Sequence, residues 1–147
     1  VSQKSLPGKK REIELEQEQF FADGKNKSDS LWFIPLTFAR ETEPEKIFSK
    51  AVMKEKSMKI TLDGVEDNEW IKLNPGTVGF YRTRYSPEQL DQFGPSIREK
   101  RMPALDRLSV LDDLYRMVVA GRSTTTALLE TLSNFSNEDS YMVIRCV

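Results

Sequence analysis

At Ser86 the apolar residues of this chain change their spacing from every second position to every third and fourth, and few folds accommodate that switch. Upstream, Arg11 to Gln17 alternates, with Ile13 and Leu15 on one face and Glu12, Glu14 and Glu16 on the other, which predicts a half-buried strand. Phe20 is out of phase, so a bulge or strand end falls near Gln17 to Gln19. Ala22 to Ser30 reads as a loop. Trp32, Ile34, Leu36 and Phe38 then share one face of a second strand, and Pro35, with no N–H to offer a ladder, suggests an edge or irregular position. Glu41 to Glu45 is a turn, and Ile47 to Lys56 carries no clear period. Met58, Ile60 and Leu62 alternate until Asp63-Gly64. Trp70 to Leu73 and Val78 to Arg84 read as strands joined by a type II turn, Asn74-Pro75-Gly76-Thr77, with glycine where φ must be positive.

Downstream, Ser86-Pro87-Glu88-Gln89 is a helix start, with a serine cap, proline in the first turn and glutamine three residues after the cap. Gly94-Pro95 predicts a break or kink. Leu105, Leu108, Leu111, Tyr115 and Val118 mark a second helix over about Pro103 to Ala120, stopped by Gly121. Ser123 is the expected cap of a third helix carrying Leu128, Leu129, Leu132 and Phe135, and a fourth begins near Asn137. The pattern is mixed, β then α: a β-sandwich over residues 1–86, then over 87–147 the first antiparallel helices of a HEAT-like α-hairpin array.

Composition narrows the chemistry. The chain of 147 residues contains no histidine, so it holds no Ser/His/Asp or Cys/His relay and no HExxH zinc motif. Net charge is −1, from 22 basic and 23 acidic residues, which gives no global field for nucleic acid or an anionic membrane. No apolar run reaches the roughly 18 residues of a membrane span, and Val1 to Arg11 has no signal-peptide core. The single cysteine, Cys146, favours a reducing compartment. Two glycosylation triplets, Asn26-Lys27-Ser28 and Asn134-Phe135-Ser136, point the other way.

The candidate chemical groups all have plainer readings. Asp112 and Asp113 point about 100° apart on a helix, so they form no acid/base dyad and read as a solvated face. Arg82 and Arg84, interleaved with Tyr81 and Tyr85, resemble an anion platform but read better as one wet strand face, or as partners for glutamates across the sheet or at a domain interface. Glu41, Glu43 and Glu45 read as solvated rather than cation-binding, the basic cluster Lys4 to Arg11 as an exposed segment, and Cys146 as a small half-buried residue without a base. No catalytic, cofactor-binding or metal-ligating residue is assigned.

The stretch W-I-K-L-N-P-G-T-V-G-F-Y-R-T-R-Y-S, Trp70 to Ser86, resembles the segment that closes the β-sandwich and opens the helical domain in zinc aminopeptidases of the gluzincin class, in wording close to their puromycin-sensitive branch. Asp106-Arg107-Leu108 with Asp113-Leu114 is similar to the family's D-R-L-x-x-x-x-D-L helix, and Trp32 to Leu36, preceded by Gln17 to Phe20, to its W-x-x-P-[LI] strand and Q-x-x-F element.

The resemblance implies that catalysis lies elsewhere. The family's HExxH helix, its further glutamate ligand, its G-A-M-E-N amine grip and its catalytic tyrosine precede the sandwich, and Tyr81 and Tyr85 do not match that tyrosine. Gly79 to Arg82 is expected to be structural, its glycine allowing close packing and its aromatics filling space between sandwich and helices. By resemblance, the intact enzyme holds zinc, removes N-terminal residues from peptides and is cytoplasmic. This chain would link the catalytic domain to the helical lid, with that domain and the downstream helices as partners. The alternative is a standalone β-sandwich interaction module with a helical tail.

Overall fold

The alternation that runs to Leu73 builds strands, and the three-and-four spacing after Ser86 builds helices. In the computed structural model, which describes residues 1–24 and 28–147, two three-stranded antiparallel sheets precede four helices. One sheet has the order β1 (Ser2–Leu6), β2 (Lys10–Glu16), β5 (Ser57–Asp63); the other has β4 (Ser49–Met53), β3 (Ile34–Arg40), β6 (Ile71–Leu73). Ile13, Leu15 and Leu62 from the first sheet meet Leu36, Phe38, Met53, Ile71 and Leu73 from the second in one buried layer, as a sandwich requires. On the outer face of β2, Glu12 and Glu14 reach Lys59 of β5, a solvated cross-strand set of small energetic weight.

Several expectations are corrected. β1 belongs to the basic N-terminal segment that read as merely exposed, and it pairs along its length with β2. Trp32 lies before β3 rather than in it, because the Gln17 side chain engages both its N–H and its C=O. β3 is the central strand of its sheet, so Pro35 is not on an edge strand. The carbonyl of Thr37 accepts from Asn74 beyond β6, and that of Phe38 from Phe48 on the β4 side. By alternation the missing N–H of Pro35 faces the β6 side, where the ladder spans only Phe38 to Arg40. The ambiguous stretch 47–56 contains β4.

Val78 to Arg84 is not a strand. Gly76 has φ 68° and Thr77 N–H reaches Asn74 O at 3.0 Å, as the turn chemistry demands, but Asn74 and Thr77 also adopt positive φ. The Asn74 side chain then clamps Gly79, accepting its N–H at 2.7 Å and donating to its carbonyl at 2.9 Å. The chain is thereby turned away from the sheet before a second strand can pair.

The capping box at Ser86 and Gln89 forms as expected and starts α1 (Pro87–Arg98). This helix continues through Pro95, contrary to the expected break. The clash that disfavours helix before a proline involves the preceding Cβ, and residue 94 is glycine. A five-residue loop leads to α2 (Ala104–Val119). Thr124, one residue after the expected Ser123, caps α3 (Thr125–Leu132) through Ala127 N–H. The last helix, α4, is Tyr141–Ile144, since Phe135 closes a short turn and Asn137 stays outside it. Phe93, Ile97, Met102, Val110, Leu111, Phe135 and Val143 form the helical core, joined from the sheet side by Trp70.

Of the glycosylation triplets, Asn26 and Lys27 lie outside the described residues. Asn134 accepts from Arg98 at 2.7 Å. Among the described residues no helix is long and apolar enough to cross a membrane.

Candidate functional site: the sheet-to-helix junction

The polar residues that read as solvated converge on the connection between β6 and α2. Lys72, central in β6, is 3% exposed in its side chain, and its Nζ lies 3.0 Å from Asp106 Oδ1, itself 4% exposed, in the first turn of α2. The same oxygen accepts the Gly76 N–H at 2.8 Å. Lys72 also donates to Leu73 O at 3.1 Å. Burial pushes the lysine pKa down, against the pull of Asp106.

Two turns further along α2, on the same face, Asp113 accepts the Thr83 N–H at 2.9 Å and pairs with Arg82. Arg82 also reaches Asp112 at 2.7 Å, with its guanidinium 5.7 Å from the Phe20 ring. Asp113 is therefore not on a solvated face. Its side chain is 17% exposed, and burial pushes its pKa up to about 6, beyond what Thr83 and Arg82 offset. Arg82 therefore makes a contact between the connecting segment and α2, but its partners are aspartates and not the expected glutamates. This geometry accounts for the D-R-L-x-x-x-x-D-L spacing: two carboxylates seven residues apart on one helix face receive the backbone amides of Gly76 and Thr83, also seven residues apart in the connecting segment.

A second network ties Trp70 to α1. The indole N–H donates to Ser96 Oγ at 2.9 Å, and Ser96 Oγ donates to Glu41 Oε1 at 3.1 Å. Arg101 reaches the same oxygen at 2.8 Å, and Glu41 and Trp70 bond through Glu41 N–H to Trp70 O at 3.2 Å. Glu41 is thus a junction residue, whereas Glu43 does lie on the surface beside Lys46. Phe93 makes edge-to-face contacts with both Trp70 and Tyr85, with centroids at 5.7 and 4.9 Å.

Arg107, adjacent to Asp106, holds Glu138 through two parallel bonds of 2.7 Å, with side chains 5% and 3% exposed. The guanidinium holds the Glu138 carboxyl down at about pKa 2. Sequence spacing could not reveal this pair, since its members lie on different elements. The expectation for Gly79 to Arg82 fails at Phe80, which is fully exposed, while Tyr81 does pack against the sandwich core. Cys146 is exposed, not half-buried.

These acids imply opposite pH dependences. Asp113, raised to about 6 from 3.8, disfavours folding above pH 6 and ceases to do so as pH falls towards 3.8. Glu138, lowered to about 2 from 4.5, stabilises above pH 4.5 and loses that contribution as pH falls through 2. Urea titrations of wild type and Asp113→Asn at a series of pH values isolate the first effect. The wild type should gain relative to the variant between pH 6 and 4, by at most about 3 kcal/mol.

Among the described residues no three histidine, cysteine, aspartate or glutamate side chains gather as a metal would need. With no histidine in the sequence and its one thiol isolated, the donor set does not fit zinc, and no step is derived through that metal.

The structure thus fixes a β-sandwich to a layer of helices through the buried Lys72–Asp106 pair. The sequence profile of the ERAP1-like C-terminal domain matches residues 70–147, more than half of the chain, and the chain belongs to that family. It is 37% identical over 144 residues to a puromycin-sensitive aminopeptidase of Caenorhabditis elegans, covering 97% of this chain and 15% of the relative. It is 32% identical to aminopeptidase M1-B of Oryza sativa subsp. japonica (90% of this chain, 16% of the relative). Identity is also 32% to tricorn protease-interacting factor F2 of Thermoplasma volcanium (90% and 15%). The chain thus spans about 15% of the length of these relatives.

Proposed function

We propose that this chain is the non-catalytic segment joining the catalytic domain to the helical lid of a zinc-dependent aminopeptidase similar to the puromycin-sensitive enzyme. The observation that carries this reading is the buried Lys72–Asp106 pair, which makes the angle between sheet and helices a property of the folded core. A flexible linker would hold no such pair. Residues 1–86 serve as the sandwich unit and 87–147 as the opening of the helical unit. The intact enzyme, in the cytoplasm, releases single residues from peptide N-termini using zinc held outside this segment. The segment determines the distance from that zinc to the lid, and so which peptides enter.

Bare apolar side chains support continuation into further helices. Leu129 on α3 and Tyr141, Met142 and Ile144 on α4 are 49–72% exposed. A standalone interaction module is the second reading, favoured by the exposed Val78 and Phe80 beside the junction turn.

Hydrolysis of amino-acid arylamides by the purified chain, with zinc and then with chelator, alongside metal analysis, is the direct test. Neither bound zinc nor turnover is expected. Chelator-sensitive turnover that copurifies with the chain overturns the assignment.

A further inference from the structure

The second sheet, β4-β3-β6, has one closed edge and one open edge. The carbonyl of Phe38 accepts from Phe48 on the β4 side and that of Thr37 from Asn74 on the β6 side, so the even-numbered residues of β3 face β4. Leu36 lies opposite Ala51 and Ile34 opposite Met53, which turns Ala51 and Met53 inward to the ladder. The N–H and C=O groups of Lys50 and Val52 therefore point away from the sheet, and no other described residue bonds to them. At the far edge the corresponding group is covered, since the Tyr85 hydroxyl takes the Leu73 N–H at 3.2 Å.

The side chains along this open edge are set in a definite order. Ala51 and Met53 pack on the sandwich core, so Lys50 and Val52 stand on the outer face. Val52 is 50% exposed and lies opposite the exposed Pro35. One step further, Lys54 Nζ sits 5.8 Å from the ring of Phe33, which is 76% exposed. The result is an apolar strip between two lysines whose Cα atoms are about 13 Å apart along the strand. Neither lysine has a carboxylate partner among the described residues, whereas Lys46, Lys56 and Lys59 on the same flank are each paired with a glutamate.

Lysines on an open strand also discourage pairing with copies of the same chain. Antiparallel self-pairing centred on Val52 would set Lys50 of each copy against Lys54 of the other, and like charges directly opposite are destabilising. The same two charges favour a strand that carries acids at those positions.

We propose that β4 accepts an extended acidic segment of a partner protein as an added strand. Its backbone pairs with the outward groups of Lys50 and Val52, and its side chains run acid, any, apolar, any, acid. The two carboxylates then meet Lys50 and Lys54, and the apolar residue covers Val52.

The probe is the blocked peptide T-E-T-V-T-E-T, titrated into the ¹⁵N-labelled chain. The Lys50 and Val52 amide protons should move downfield, saturate, and exchange with solvent at least tenfold more slowly. T-T-E-V-E-T-T has the same composition with its acids on the opposite face, and T-K-T-V-T-K-T has the wrong charge. Both should bind at least tenfold more weakly. Lys50→Glu/Lys54→Glu, at two exposed positions, should reverse the preference, losing T-E-T-V-T-E-T and gaining T-K-T-V-T-K-T. Equal responses to the two acidic peptides, or an unchanged preference in the variant, overturn the proposal. So do peptide shifts that leave the Lys50 and Val52 amides fast-exchanging, which would mean docking on the face without strand addition. Shifts of those amides with chain concentration alone would assign the edge to a second copy and also overturn it.

Discussion

Replacing Asp106 with alanine should lower stability by about 3–5 kcal/mol, the usual cost of leaving a buried charge without its partner. Lys72 then keeps only neutral acceptors, Leu73 O at 3.1 Å and the longer contact to Asn74 O, at a site where its side chain is 3% exposed. Gly76 N–H loses its acceptor at the same time. Asp106→Asn separates the two losses, since an amide oxygen can still accept from Gly76 while the charge is gone. The double change Lys72→Met/Asp106→Leu removes both ions together and should recover most of the loss, because well-packed apolar residues often replace a buried pair at little cost. Urea midpoints of the four proteins decide the matter. A loss under about 1 kcal/mol for Asp106→Ala would show that the pair is hydrated and that the junction does not depend on it.

Trp70→Ala should cost a similar amount, about 3–5 kcal/mol, by emptying the space of a large side chain that is 1% exposed. The consequence is directional. Trp70 belongs to the segment entering β6 but packs in the helical core against Phe93, so its loss should loosen α1 from the sheet more than it loosens β2 from β5. Amide hydrogen exchange should show greater loss of protection at Leu90 to Ile97 than at Ile13 to Leu15. Trp70→Phe retains much of the ring and forfeits the bond to Ser96, and about 1–3 kcal/mol is expected. Equal loss of protection in both regions would mean that the molecule unfolds as one unit whichever side is weakened.

Much of the architecture was legible from spacing because spacing is a local property. β2 could be read from Ile13 and Leu15 set against three glutamates, and β5 from Met58, Ile60 and Leu62, since a period of two has no other economical fold. The start of α1 was legible because the capping box involves residues three apart. Val78 to Arg84 misled for a nonlocal reason. Its composition suits a strand, but Asn74 clamps Gly79 and Asp113 takes the Thr83 amide, so no edge remains for it to join. Pro95 misled for a local one, since the preceding glycine has no Cβ to clash with the proline ring and stays helical before it.

The junction was the least legible part. Asp113, Glu41 and Arg11 read as solvated because charged side chains in a sequence usually are, and each proved committed to the junction or to the sheet behind it. Family resemblance marked Asp106 and Asp113 as a pattern without saying what they touch. Their contacts arise only when α2 lies against residues 72–83, which places Lys72, Gly76 and Thr83 along one face of the helix. The sequence alone determined where strands give way to helices and that this chain contains no histidine, because periodicity and residue inventory are properties of the sequence itself. Tertiary structure decided which charges are buried and which donors are left unpaired, because burial and pairing depend on the approach of elements distant in sequence, and no local pattern encodes that approach.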